Sequence, residues 1–210
     1  MRFTRAILFG TILLAGTGAF AQRADIFGEY SYLHFSPTIG GTSSRSFNGG
    51  GGGADLYFLK ILGIKADFMA YQSTTFTVTY NTPVVIPGRG VIPAGTYTSQ
   101  GDMFTYLFGP LVRIPLPLVH PFGEVLFGGS QTNAYVNLSK QIDNNGGTLS
   151  TPTQHPFTMA AGGGVDVSVS HHLAIRVGEF DYVLTRYTNP LTSTNNQNNF
   201  RYTGGVVLKF

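Results

Sequence analysis

Few side chains in this 210-residue chain could do chemistry, and they lie far apart. His34 and Ser36 have the types needed for attack on an ester: a hydroxyl nucleophile, an imidazole base, and an acid elsewhere to orient the ring. His34 falls on the face of its segment that carries the apolar residues, and no acid falls on that face of the neighbouring segments. The expectation is an interfacial histidine and no enzyme. His171-His172 offers two nitrogens to a metal, but a tight turn lacks the remaining ligands, so a polar turn and no cofactor are expected. The run Gly49–Gly53 could cradle a phosphate, yet no Lys-Ser/Thr pair and no helix follow it. Asn137-Leu-Ser139 matches a glycosylation acceptor by chance.

The charged residues form a pattern. In Phe200–Phe210 the residues Phe200, Tyr202, Gly204, Val206, Leu208 and Phe210 share one face of a period-two strand, and Arg201, Thr203, Gly205, Val207 and Lys209 share the other. Apolar outward and polar inward, with aromatics at both ends, is the pattern of a membrane-crossing β-strand. The same division along the chain collects Asp25, Glu29, Lys65, Asp67, Arg113, Glu124, Asp166, Arg176, Asp181, Arg201 and Lys209 on inward faces. Inside a narrow barrel such charges must pair or be wetted. A plugged, salt-bridged interior is expected first and a narrow ion-conducting pore second.

The elements that would position these residues are strands, with no convincing helical segment between them. Candidates are Asp25–Phe35, Ser46–Leu59, Leu62–Gln72, Asp102–Ile114, His120–Ser130, Phe157–Ser170, Leu173–Thr185 and Phe200–Phe210. Gly49–Gly53 would let a tightly curved sheet bend. Pro110 predicts a local break in the ladder. The apolar phase slips between Val177 and Phe180, which predicts a bulge near Gly178-Glu179. Links 60–61, 115–119 and 171–172 are short, whereas 36–45, 73–101, 131–156 and 186–199 are long and rich in Gly, Asn, Thr, Ser and Pro. This alternation puts the long loops at one end and both termini at the other. Within 73–101, the Val84–Pro93 stretch repeats Val-Ile-Pro and predicts a hairpin standing beyond the membrane.

Residues 1–21 carry Arg2 and Arg5, an apolar Ala6–Leu14 core and the small-x-small site Ala19-Phe20-Ala21, a cleaved signal peptide preceding one domain over 22–210. Its removal lowers the net charge from +3 to +1. No basic run then remains for nucleic acid. Cysteine is absent, so the exported fold must hold without disulfides.

The segments Phe27-Gly-Glu-Tyr-Ser-Tyr32, Ala174–Tyr182 and Tyr202–Phe210, with the signal peptide, resemble the small outer-membrane β-barrels of Gram-negative bacteria, the group containing the transmembrane domain of outer-membrane protein A. The resemblance implies an all-β, eight-stranded antiparallel up-and-down transmembrane barrel in the cell outer membrane. It implies contact with outer-membrane lipids, a monomer, and a structural or surface-interaction role. It also implies that Phe210, Leu208 and Tyr202 form the signal read by the barrel-assembly machinery. The chain stops at Phe210, so the periplasmic peptidoglycan-binding domain of larger members is not expected. His34-Phe-Ser36 further resembles the His-x-Ser pair of outer-membrane lipid A deacylases, although it lies on a different strand.

Overall fold

Alternating apolar and polar residues suit a sheet with two unlike faces, and that contrast holds along every strand that builds the wall. The computed structural model describes residues 23–35, 45–86, 90–132, 134–149, 155–186 and 196–210. The expected signal peptide and Ser36 lie outside the described residues.

The strands are β1 (Arg23–Phe35), β2 (Arg45–Tyr57), β3 (Leu62–Tyr80), β4 (Val84–Ile86), β5 (Gly90–Ile92), β6 (Gly95–Arg113), β7 (Val119–Thr132), β8 (Thr148–Leu149), β9 (Phe157–Ser168), β10 (Leu173–Arg186) and β11 (Asn196–Lys209). One helix, α1, spans Ala134–Asn144. Eight strands close into an antiparallel barrel in the order β1-β11-β10-β9-β7-β6-β3-β2, with β2 returning to β1. Closure removes every edge, so the barrel leaves no row of unpaired backbone groups facing lipid. Ile26, Tyr30, Ile64, Phe68, Phe104, Phe108, Val125, Ile175, Phe180, Val206 and Leu208 all stand exposed on the outer wall. No described helix is long and apolar enough to cross a membrane.

The bulge is where the phase slip places it. Arg176 pairs with Gly205, whereas Glu179 pairs with Thr203, one residue out of step, and the β9 side shifts between Arg176 and Gly178. In a regular strand, residues three apart face opposite ways. The extra residue turns both Arg176 and Glu179 inward. Pro110 breaks the ladder locally, as expected, and on one side only. It keeps its register with Ile64 of β3, and on the β7 side the pairs stop at Phe108↔Phe127 and resume at Leu111↔Glu124 without a shift.

Two expectations are corrected. The 73–101 link is mostly strand: β3 and β6 continue past the wall to the pair Tyr80↔Gly95, after a register shift between Tyr71 and Thr74. The Val84–Pro93 stretch is the expected hairpin, with β4 paired to β5, and β8 adds a third strand. The 131–156 link was expected to lack helix, yet it contains α1. That helix is short and has no charged cap in its terminal turns. It is held by packing: Ile142 is fully buried against Ile92 and Tyr97, with Tyr80 and Val84 beside them. Tertiary burial of one apolar face outweighs weak intrinsic propensity.

Candidate functional site: the barrel interior and the external platform

The interior is layered along the barrel axis. At the long-loop end, Leu33, Met69, Tyr71, Met103, Leu107, Leu126, Ala160 and Val183 form a buried apolar cluster. Towards the short-turn end the lumen is filled by charge. Every inward residue expected from the sequence is buried there: Asp25, Glu29, Lys65, Asp67, Arg113, Glu124, Asp166, Arg176, Asp181, Arg201 and Lys209. Two members escaped sequence reading, Asp55 and Glu179, both buried. Strict alternation through the glycine run would have put Asp55 inward. Glu179 needed the bulge to be counted before the face was assigned.

Glu179 is the hub. Its Oε2 accepts from Lys65 Nζ at 2.7 Å and Arg176 Nη1 at 2.9 Å, while Oε1 accepts from Arg201 Nη2 at 3.3 Å. Lys65 Nζ also donates to both oxygens of Glu124, at 3.1 and 2.9 Å. Arg176 reaches Glu29 at 2.6 Å, Asp166 at 2.8 Å and Asp55 at 3.3 Å. Arg201 clamps Asp181 through Nε at 2.8 Å and meets Asp67 through Nη1. Nearer the mouth, Arg113 Nη1 donates to Asp25 and to the Tyr57 hydroxyl. Charge-assisted bonds of this kind are about twice as strong as neutral ones. Removing one partner leaves an uncompensated buried charge.

Aromatic rings close over the cations. Arg176 lies 4.8 Å from the Phe27 ring centroid and 4.4 Å from that of Phe122; Lys65 lies 5.0 and 5.4 Å from the same two rings. All four distances are within cation–π range. The glycine runs make room for these rings. A Cβ on Gly53 would collide with the Ala66 carbonyl and come within 2.8 Å of the Phe27 ring, and one on Gly164 would come equally close to the Phe122 ring. Gly53 and Gly164 thus leave space that the lumen uses for its aromatic lids. The expected close approach holds along the 49–53 run as well: a Cβ on Gly49, Gly51 or Gly52 would also collide with a backbone carbonyl of an adjoining strand.

Among the described residues one acidic trio, Glu124, Glu179 and Asp181, has carboxylate oxygens within 4.8 Å of one another, close enough to hold a metal ion. Lys65 Nζ already bridges two of the three, so an ammonium does the work a cation would do. His171 and His172 lie in the short turn as expected, where His172 Nδ1 is 3.2 Å from the Lys209 carbonyl. His34 stands at the outer wall, with Nδ1 3.5 Å from Ser46 Oγ, and that hydroxyl is 2.6 Å from Tyr32 OH. Phe210, Leu208 and Tyr202 project outward from β11, exposed and outside the interior packing.

Above the wall, the extended β3–β6 hairpin carries a ladder of hydroxyls, Thr77 to Thr98 at 3.2 Å and Thr79 to Thr96 at 3.1 Å. The helix α1 is pinned beside it. Asn137 Nδ2 donates to the Gln100 carbonyl at 2.7 Å, and Gln141 Oε1 accepts from the Thr98 amide at 3.1 Å. Asn137, the residue of the acceptor triplet, is therefore held against β6.

No protein-family model matches the chain and no curated protein matches it in sequence. Among solved structures it is similar to Neisserial surface protein A, with 11% identity and a TM-score of 0.57 over 89% of this chain and 97% of that one. It is similar to the outer membrane protein OprG of Pseudomonas aeruginosa, with 14% identity and a TM-score of 0.56 over 92% and 98%. It also resembles Ail of Yersinia pestis in its complex with the heparin analogue sucrose octasulfate, with 10% identity and a TM-score of 0.50 over 90% and 99%. The fold is that of the small eight-stranded outer-membrane β-barrels.

Proposed function

We propose that the chain is a sealed outer-membrane barrel whose role belongs to its external platform, an ordered surface presented outside the cell on an anchor that conducts no ions. The observation that carries this reading is the pairing of a blocked lumen with a built exterior. Ion pairs, two aromatic lids and an apolar cluster fill the interior from the mouth to the long-loop end. Outside, a helix and a three-stranded sheet share a core of their own. Ordering those residues costs chain entropy, roughly 1–2 kcal/mol each for the backbone alone, which a mere connection need not meet. In 73–101 Arg89 is the only charged residue. A partner would thus be recognised by hydroxyl hydrogen bonds and apolar contact more than by charge. Outer-membrane lipids against the apolar wall and the barrel-assembly machinery at Phe210, Leu208 and Tyr202 complete the proposed partners.

Purified protein in planar bilayers is expected to be electrically silent, and stepwise conductance would overturn the reading. A narrow cation pore is the second reading, favoured by the excess of buried carboxylates: eight, against five buried Lys and Arg side chains. The same recording decides between them. For the surface role, cells displaying the protein should bind a host glycan or protein array through the platform. Ile142→Asp should lose that binding while keeping the folded barrel. Equal binding by both proteins would remove the platform from the account.

A further inference from the structure

The three short turns, 58–61, 114–118 and 169–172, contain no carboxylate, and the mouth that they surround is ringed by cations and imidazoles. Two cavities meet there on either side of Arg23. The larger, about 620 Å³, is bordered by Arg23, His120, Ser168, His171, His172 and Lys209. The smaller, about 440 Å³, is bordered by Arg23, Tyr57, Lys60 and Arg113. The nearest acids lie beneath and are already neutralised. Asp25 is held by Arg23 and Arg113, and Asp166 by Arg176 at 2.8 Å with Arg113 at 3.8 Å.

Several buried nitrogens at this mouth have no hydrogen-bond partner. Arg113 is 2% exposed and His120 is 7% exposed, yet Arg113 Nε and Nη2 and His120 Nδ1 have no hydrogen-bond partner. Lys209 Nζ donates to Ser168 Oγ at 2.8 Å, and the same hydroxyl meets His120 Nε2 at 2.7 Å. Among the described residues Lys209 forms no ion pair with a carboxylate. A buried donor left unsatisfied is destabilising, and more so when charged. Arg23, Lys209 and three histidines border the larger cavity, Arg23, Lys60 and Arg113 the smaller, and an anion matches the charge of both and offers the acceptor that the Arg113 N–H groups lack. A divalent metal does not, because Arg23 and Lys209 would repel it.

We propose that the short-turn mouth is a binding site for an oxyanion, a phosphate or carboxylate carried on a small polar body. The larger cavity exceeds what a bare phosphate fills, which leaves room for a sugar, glycerol or short peptide attached to it. The site does not depend on whether the barrel conducts. Only its facing the periplasm rests on the orientation given above. The oxyanion could come from a soluble periplasmic molecule or from a phospholipid headgroup in the adjacent leaflet.

The test uses folded full-length protein in dodecylmaltoside, with the histidine imidazoles followed by NMR at constant ionic strength. Inorganic phosphate and then glycerol 3-phosphate should produce saturable shifts at His120 and His172, with a Kd on the order of 1 mM. The double variant Arg23→Gln/Lys209→Gln should bind at least about tenfold more weakly, having lost two charge-assisted bonds. Lys140→Gln, exposed on α1 at the opposite end of the barrel, should retain binding at His120. Heat-modifiable migration confirms that each variant is folded. A second arm places the protein in nanodiscs containing phosphatidylglycerol or only zwitterionic lipid. Saturation by glycerol 3-phosphate in both lipids supports a soluble source, and prior occupancy in phosphatidylglycerol alone supports a headgroup. Shifts that never saturate in either arm, or that persist unchanged in the folded double variant, overturn the proposal.

Discussion

Glu179 shows what one residue does in this barrel. Three cations share its carboxylate, so its removal leaves Lys65, Arg176 and Arg201 crowded together without their common counter-charge. Glu179→Ala should cost about 3–5 kcal/mol, the range for breaking a buried pair by deleting one partner. Reversible urea unfolding from lipid vesicles would measure it. A loss below about 1 kcal/mol, the scale of exposed pairs, would mean that the network is wetter than its burial implies. On the opposite face the cost has another origin. Phe68 projects into lipid from β3 and packs edge-to-face on Phe108, with centroids 5.4 Å apart. Phe68→Arg should destabilise the barrel by about 2–4 kcal/mol if its height is near the bilayer midplane, read by the same unfolding experiment.

At the scale of elements, the bulge in β10 and the platform above β6 have separable consequences. Deleting Gly178 would leave Arg176 and Glu179 two apart in a regular strand, both still facing inward. Both halves of β10 then keep their register, and the expected outcome is a retained heat-modifiable folded band. Loss of that band would show that the bulge is needed for more than the facing of these two residues. The platform should fail while the barrel stands. Ile142→Asp puts a carboxylate into the core shared by Ile92, Tyr97 and Ile142. Limited proteolysis should then cut within 133–156, while the membrane-embedded strands stay protected. Protection equal to wild type would show that α1 is held by its hydrogen bonds to β6 and not by packing.

As a whole molecule, the protein is a closed wall whose two surfaces meet different solvents, and that difference is why so much of it could be read from sequence. Lipid outside and a polar lumen inside impose a period of two on every crossing strand. The wall segments, all but two of the inward charges and the β10 bulge were therefore visible in the alternation, and the Val84–Pro93 hairpin in its repeat of Val-Ile-Pro. Where that contrast ends, legibility falls. Beyond the wall the alternation of Phe76, Val78 and Tyr80 with Thr75, Thr77 and Thr79 was present but lay in a long link rich in turn residues, so the continuation of β3 and β6 was missed, and α1 depends on partners distant in sequence. Alternation can say that Arg176 and Glu29 both point inward, but not that they meet across 147 residues of chain. The sequence determined which side of the wall each residue faces, because one residue's neighbours along the strand carry that information. Only the closed barrel decided which charges pair, which rings cover them and which donors at the mouth stay empty-handed, because those depend on strands brought together by closure.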